Sequence, residues 1–146
     1  MRSLIIVTLI LAVSCKAGQS NSAASEYNEA NPMLELNSNW VLLKVNGRNV
    51  DQLTYSSTPT LVFNIIEKSV DGNNGCNNFF GQLDSIDDKN ITIRIIGSTK
   101  AFCPEIKNSD MLGQYLNAIR TYKIVQNSLF FYDEAGGEIL QYTRNE

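Results

Sequence analysis

No histidine occurs anywhere in the 146 residues. That absence removes the commonest general base and the commonest zinc ligand together. A serine or cysteine nucleophile paired with a histidine base is therefore impossible within this chain. Positive charge is also short: 12 basic residues face 15 acidic ones, for a net charge of -3. The basic residues do not cluster, which argues against a nucleic-acid partner. No run of Lys and Arg follows the apolar N-terminal segment, so nothing supports an electrostatic grip on anionic lipid. A glycine-rich phosphate loop is missing too. The carboxylates gather at two turns, Asp84, Asp87 and Asp88 at one and Asp133, Glu134 and Glu138 at the other. Neither turn has the alternating spacing of a calcium loop, and no pair stands out for glycoside hydrolysis. They read as solvated turn residues, and the chain is expected to hold no cofactor or metal and to catalyse nothing. Proline is scarce, at 3 residues, which fits ordered elements better than an extended linker.

What the chain does contain is 43% hydrophobic residues, enough for one globular domain. The first 14 residues, MRSLIIVTLILAVS, carry one positive charge at Arg2 and then an apolar core from Leu4 to Val13. That core has signal-peptide length and is too short to span a bilayer. It ends in Ala12-Val13-Ser14-Cys15, which resembles a bacterial lipobox with Ala12 where Leu is usual. The resemblance implies lipidation of Cys15, which would become the new N-terminus. Losing Arg2 leaves a mature balance of -4, 11 basic residues against 15 acidic. Two or three acyl chains at Cys15 would hold the protein stably on a membrane. Residues 15–36 then form the lipidated cysteine and a tether rich in Asn, Ser and Ala, with the composition of a flexible linker. A tether of this length reaches on the order of 25 Å. Lys16 stands where inner-membrane retention favours Asp, so the outer membrane is the expected location in a bacterial envelope.

Residues 37–146 carry the pattern of a folded domain. Trp40–Val45 reads as a strand closed by the Asn46-Gly47 turn. Leu61, Phe63 and Ile65 mark the inner face of a second strand, residues 79–83 form a third, and Ile91–Ile95 a fourth with inward isoleucines. The period changes after residue 109. Met111, Leu112, Tyr115, Leu116 and Ile119 make one helical stripe, with Ser109 as its cap and Arg120 suited to its C-terminal end. Residues 122–126, an Asn127-Ser128 turn and Leu129–Tyr132 read as a hairpin, followed by a last strand at Ile139–Tyr142. The expected class is α+β: a curved antiparallel sheet or open barrel of about 7–8 short strands with one packed helix near residues 110–120.

The most unusual stretch is Asn74-Gly75-Cys76-Asn77-Asn78-Phe79-Phe80-Gly81, followed some twenty residues later by Ser98-Thr99-Lys100-Ala101-Phe102-Cys103-Pro104. Together these segments resemble the META/HslJ family, whose pattern is a Gly-Cys-Asn-x-Phe-x-Gly block and a Thr-x-x-x-Cys block. Gly75, Cys76, Asn77, Phe79 and Gly81 match the first block; Thr99 and Cys103 match the second. Leu83 departs from the Tyr often found there. The likeness runs from about Leu36 to Tyr142, and it implies that these motif residues are structural. The family includes a heat-inducible outer-membrane lipoprotein associated with antibiotic tolerance, and its members lack an established enzymatic activity. Its fold is similar to that of a lipid-binding pilot lipoprotein of secretion systems.

If Cys15 is acylated, Cys76 and Cys103 remain as a candidate disulfide in an oxidising compartment. The alternative is two reduced, buried cysteines acting as small hydrophobes. Three functions follow from the resemblance and the residues. One is a stress-related, membrane-anchored module, expected to be monomeric, that binds an unknown envelope protein through an aromatic patch or sheet edge near Tyr122, Phe130 and Tyr132. Another is binding of a lipid or small apolar molecule in a crevice between helix and sheet, lined by Phe63, Ile65, Ile93, Met111 and Leu116. The third, an enzyme, has no residues to support it.

Overall fold

The computed structural model describes residues 31–53, 55–104 and 109–145. The signal segment, Cys15 and tether residues 16–30 lie outside the described residues. The elements in chain order are α1 (Pro32–Glu35), β1 (Asn39–Val45), β2 (Arg48–Asn49), a 3-10 turn at Val50–Gln52, β3 (Thr60–Asn64), β4 (Ser69–Asn73), β5 (Asn78–Ile86), β6 (Ile91–Ser98), α2 (Ser109–Ala118), β7 (Thr121–Val125), β8 (Ser128–Tyr132) and β9 (Glu138–Arg144).

Eight strands form one antiparallel sheet in the order β6-β5-β4-β3-β1-β9-β8-β7, with β2 folded back on β1. The sheet curls into a half-barrel until its two ends touch at a single bridge, Asn90 to Thr121. The cause is legible in the strands. In β5, Phe79, Gly81 and Leu83 face inward while Phe80, Gln82 and Asp84 face out. In β1, Trp40 and Leu42 point in, and a bulge before Lys44 resets the phase so that Val45 also points in. Large residues fill the interior: Trp40, Phe131 and Tyr142 are fully buried. Phe131 meets Tyr142 edge-on at 5.9 Å and Phe63 at 6.3 Å between centroids.

The expected class holds in its main feature, a curved antiparallel sheet with a packed helix; the single-helix expectation does not. A second, short helix precedes the sheet, where a tether was expected. Asn31 Oδ1 caps it by accepting from the Met33 N–H at 3.0 Å, and Pro32 supplies a preset φ at its first position. It delivers Leu36 into the core with 0% exposure, and the Leu36 carbonyl accepts from Trp40 Nε1 at 3.0 Å. Residues 31–36, expected to belong to the tether, thus pack with the described fold.

Three further differences are local. Strand β4 has no counterpart in the hydrophobic pattern, because only Val70 of Ser69–Asn73 is buried. The β7–β8 turn is Gln126-Asn127, one residue earlier than expected; Gln126 has a positive φ of 55° and Ser128 pairs with Val125. Ser109 is already helical, not the residue before the helix. The stripe of α2 is narrower than expected, with Leu112, Leu116 and Ile119 buried and Met111 39% exposed. At the other end, Arg120 Nη1 donates to the carbonyls of Asn117 and Ile119 at 2.9 and 2.8 Å, as a cation at a helix C-terminus should.

Candidate functional site

The Gly-Cys-Asn block forms the tight connection between β4 and β5, and the Thr-to-Cys block runs out of β6 beside it. Asn74 Oδ1 accepts from the N–H groups of Cys76 and Asn77 at 3.1 and 2.7 Å, which folds the turn on itself. Asn77 then reaches across to the other block. Its Oδ1 accepts from Thr99 Oγ1 at 2.8 Å and from the Ala101 N–H at 2.6 Å; its Nδ2 donates to the Ala101 carbonyl at 3.4 Å and to Cys76 Sγ at 3.3 Å. Thr99 Oγ1 also accepts from the Asn78 N–H at 3.2 Å. Cys76 and Cys103 form a disulfide with Cα atoms 6.1 Å apart, closing a separation of 27 residues.

Glycine is required twice. Gly75 has φ +91°, and a Cβ there would overlap the ring of Tyr55, while its carbonyl accepts from Ser56 and Ser57. A Cβ on Gly81 would lie 2.6 Å from the Arg94 carbonyl, at the point where the β5–β6 register shifts. Phe79 is buried; Phe80 is half exposed and lies over Gly97. Cys76, Asn77, Thr99 and Cys103 thus form one clasp between two loops, Gly75 shapes its turn, and Phe79 and Gly81 lie in β5 beside it. The side chains of Asn74, Asn77 and Thr99 are all engaged within it.

Residues expected to line a helix–sheet crevice pack the core instead. Phe63, Ile65, Ile93 and Leu116 are buried, so the crevice is filled by the side chains that were to define it. The cavity beside Met111, bounded by Val45, Arg48, Leu53, Tyr55 and Tyr115, holds only about 10 Å³. That is room for a water and not for a lipid. Deeper in the core the Tyr142 hydroxyl has no hydrogen-bond partner among the described residues, and burial raises its pKa strongly.

An open groove of about 870 Å³ lies elsewhere, along β7. Its lining comes from Arg120 and Thr121–Ile124, from Asp88 and Lys89 in the turn after β5, from Tyr132 with Asp133, Glu134 and Gly136, and from Pro32 of α1. Its volume is within the range of binding pockets. Two of the three aromatic residues expected at an interaction surface, Tyr122 and Tyr132, line it; Phe130 does not. Tyr122 is itself buried and donates from its hydroxyl to the Asp87 carbonyl at 2.9 Å. Burial, with Asp88, Asp87 and Glu35 adding negative potential, pushes the Tyr122 pKa up to about 12. Lys89, Arg120 and Lys123 form no ion pair among the described residues. Of the turn carboxylates, Asp87 is bound into its own turn, and Asn90 holds its carboxyl below the usual range. Asp133 likewise accepts from the Gly137 N–H at 2.8 Å. The groove was not legible from the sequence, because four separate segments build it. Among the described residues no cluster of three potential metal ligands forms, and no helix is long and apolar enough to cross a membrane.

No curated protein matches this chain. Among solved structures, a DUF4847 family protein from Bacteroides vulgatus is similar in fold, with a TM-score of 0.56 and 13% identity over 75% of this chain and 94% of that one. A protein from Burkholderia xenovorans solved by NMR gives a TM-score of 0.55 and 21% identity over 77% and 86% of the two chains. At such identities the likeness speaks to the curled sheet alone. The sequence model of the META domain matches residues 32–146, from the first helix through the last strand. This chain belongs to the META domain family.

Proposed function

We propose that the protein is a non-catalytic binding module of the bacterial envelope, anchored through lipidated Cys15, that engages another envelope component under stress through the β7 groove. The observation that carries this reading is the contrast in free valence between the two loop regions. The motif clasp engages its Asn74, Asn77 and Thr99 side chains internally. The groove instead offers aromatic and aliphatic walls, Lys89 and Lys123 outside any ion pair among the described residues, and Asp88 and Glu134 in its lining. Pro32, next to the first described residue, is part of the groove lining. A tether on the order of 25 Å would hold the groove within reach of membrane-bound partners. The absence of histidine from the sequence, and of a base beside any nucleophile among the described residues, supports binding over catalysis.

The test is photo-crosslinking in intact cells from a reactive residue placed at Lys123, with the chain either wild-type or Cys15→Ser at the anchor. An adduct that forms at position 123, increases under envelope stress and is lost with Cys15→Ser is the expected result. Equal adducts from the anchored and unanchored chains would remove the role given to the lipid. No adduct at 123 under any stress would remove the groove.

A further inference from the structure

We infer that the groove takes an extended polypeptide segment, which adds to the sheet as a strand alongside β7. This rests on the groove being the binding face. The two ends of the sheet differ in how they are finished. The outer edge of β6 is covered by α2, where Asn117 Oδ1 accepts from the Ile95 N–H at 3.4 Å. The outer edge of β7 starts to pair and stops. The Arg120 carbonyl accepts from the Ile91 N–H and the Tyr122 N–H donates to the Lys89 carbonyl, both at 2.9 Å, and the Asn90 bridge ends there because the chain turns back into β5.

Backbone groups of an antiparallel strand alternate in direction, so residues two apart face the same side. The N–H of Tyr122 points away from β8, and that of Ile124 therefore does so as well, with its carbonyl. The Tyr122 N–H is taken by Lys89, which leaves the Ile124 N–H and carbonyl at the edge, and no described strand continues the pairing beyond the bridge. The edge has already accepted one antiparallel contact, so its geometry suits another. A sheet edge presenting unpaired groups beside shaped side-chain walls is the setting for strand addition, in which main-chain bonds give affinity and alternate side chains give specificity. Tyr122 and Ile124 share one face of the strand, which favours apolar residues at every second position of the incoming segment.

Charge selects a polypeptide over a lipid surface. The groove lining carries Lys89, Arg120 and Lys123 against Asp88, Asp133 and Glu134, a neutral sum. An anionic headgroup or nucleic acid wants one sign, whereas a peptide bearing both signs is complementary to such a rim.

The test selects peptides from a phage-displayed library of random linear sequences on the full mature chain held in detergent, then compares Ile124→Pro with Ile124→Thr. Proline removes only an N–H that the β7–β8 ladder does not use, a position where sheet edges tolerate it. Selected peptides with alternating apolar residues that bind the wild type and Ile124→Thr alike, but bind Ile124→Pro about tenfold or more weakly, are the expected result. Hydrogen exchange at the Ile124 amide of the wild type should slow about tenfold or more when peptide is added, and this measurement decides alone if Ile124→Pro does not fold. Peptides indifferent to Ile124→Pro but lost on Tyr132→Ala would overturn strand addition while leaving the groove as a binding face. No enrichment over an unrelated lipoprotein, or peptides indifferent to both variants, would remove strand addition and the groove reading together. An Ile124 amide already protected without peptide, whether in a dimer or a monomer, would assign the edge to a second copy or to residues 16–30.

Discussion

The clasp around Asn77 and the groove along β7 are both loop-built and half exposed, yet they have opposite hydrogen-bond economies. In the clasp, Asn74, Asn77 and Thr99 point their side chains at neighbouring backbone, and a disulfide ties the two loops covalently. In the groove, cations lie outside ion pairs among the described residues and a strand edge stops after one bridge. The difference teaches where to look in a small β domain with a strong sequence motif. A motif rich in glycine, asparagine and cysteine can owe its form to local folding requirements, while binding capacity sits where polar groups are left over.

The contrast can be broken first at the clasp. Replacing both Cys76 and Cys103 by Ala should lower unfolding free energy by about 3–4 kcal/mol in the chain-entropy model, visible as a reduced urea midpoint. Asn77→Ala should cost about 1–3 kcal/mol, since the Ala101 N–H and the Thr99 hydroxyl lose their acceptor. Combining it with the disulfide variant should give a loss different from the sum, because both act on the same loop pair.

Alkali probes the side of Tyr122 that faces the groove. The unfolded phenol ionises near the ordinary 10.0 and the folded one near about 12. The folded state therefore holds its proton longer, and the contribution is complete below pH 10. It should fall as pH rises through about 12, and Tyr122→Phe should flatten that part of the urea-midpoint curve. The smallest effect belongs to the rim. Lys123→Glu and Glu134→Lys should each change stability by no more than about 0.5 kcal/mol while altering what the groove binds.

Much of the sheet was legible because the core residues of β3 and β6 recur at every second position, with Leu61, Phe63, Ile91 and Ile93 buried, and because Asn46-Gly47 demands a turn with two positive φ angles. Strand β4 was hidden by Gly72, which is needed where the ring of Phe79 passes across the sheet and which reads locally as a loop residue. The first helix was hidden by its shortness: four residues with no buried member of their own, positioned by Leu36 just beyond. The two cysteines could be paired from the family pattern, but the role of Asn77 as the link between blocks needed coordinates. The groove had no signature at all, since Pro32, Lys89, Lys123 and Glu134 come together only after the sheet has curled.

The most direct test is a saturation substitution scan of the anchored chain in cells, read out both as steady-state abundance and as photo-adduct formed per molecule from position 123. Substitutions at Asn77, Gly75 and Thr99 should lower abundance and leave adduct per molecule unchanged; those at Ile124, Tyr132 and Glu134 should do the reverse. Clasp substitutions that abolish the adduct at normal abundance, with groove substitutions silent, would contradict the division of labour.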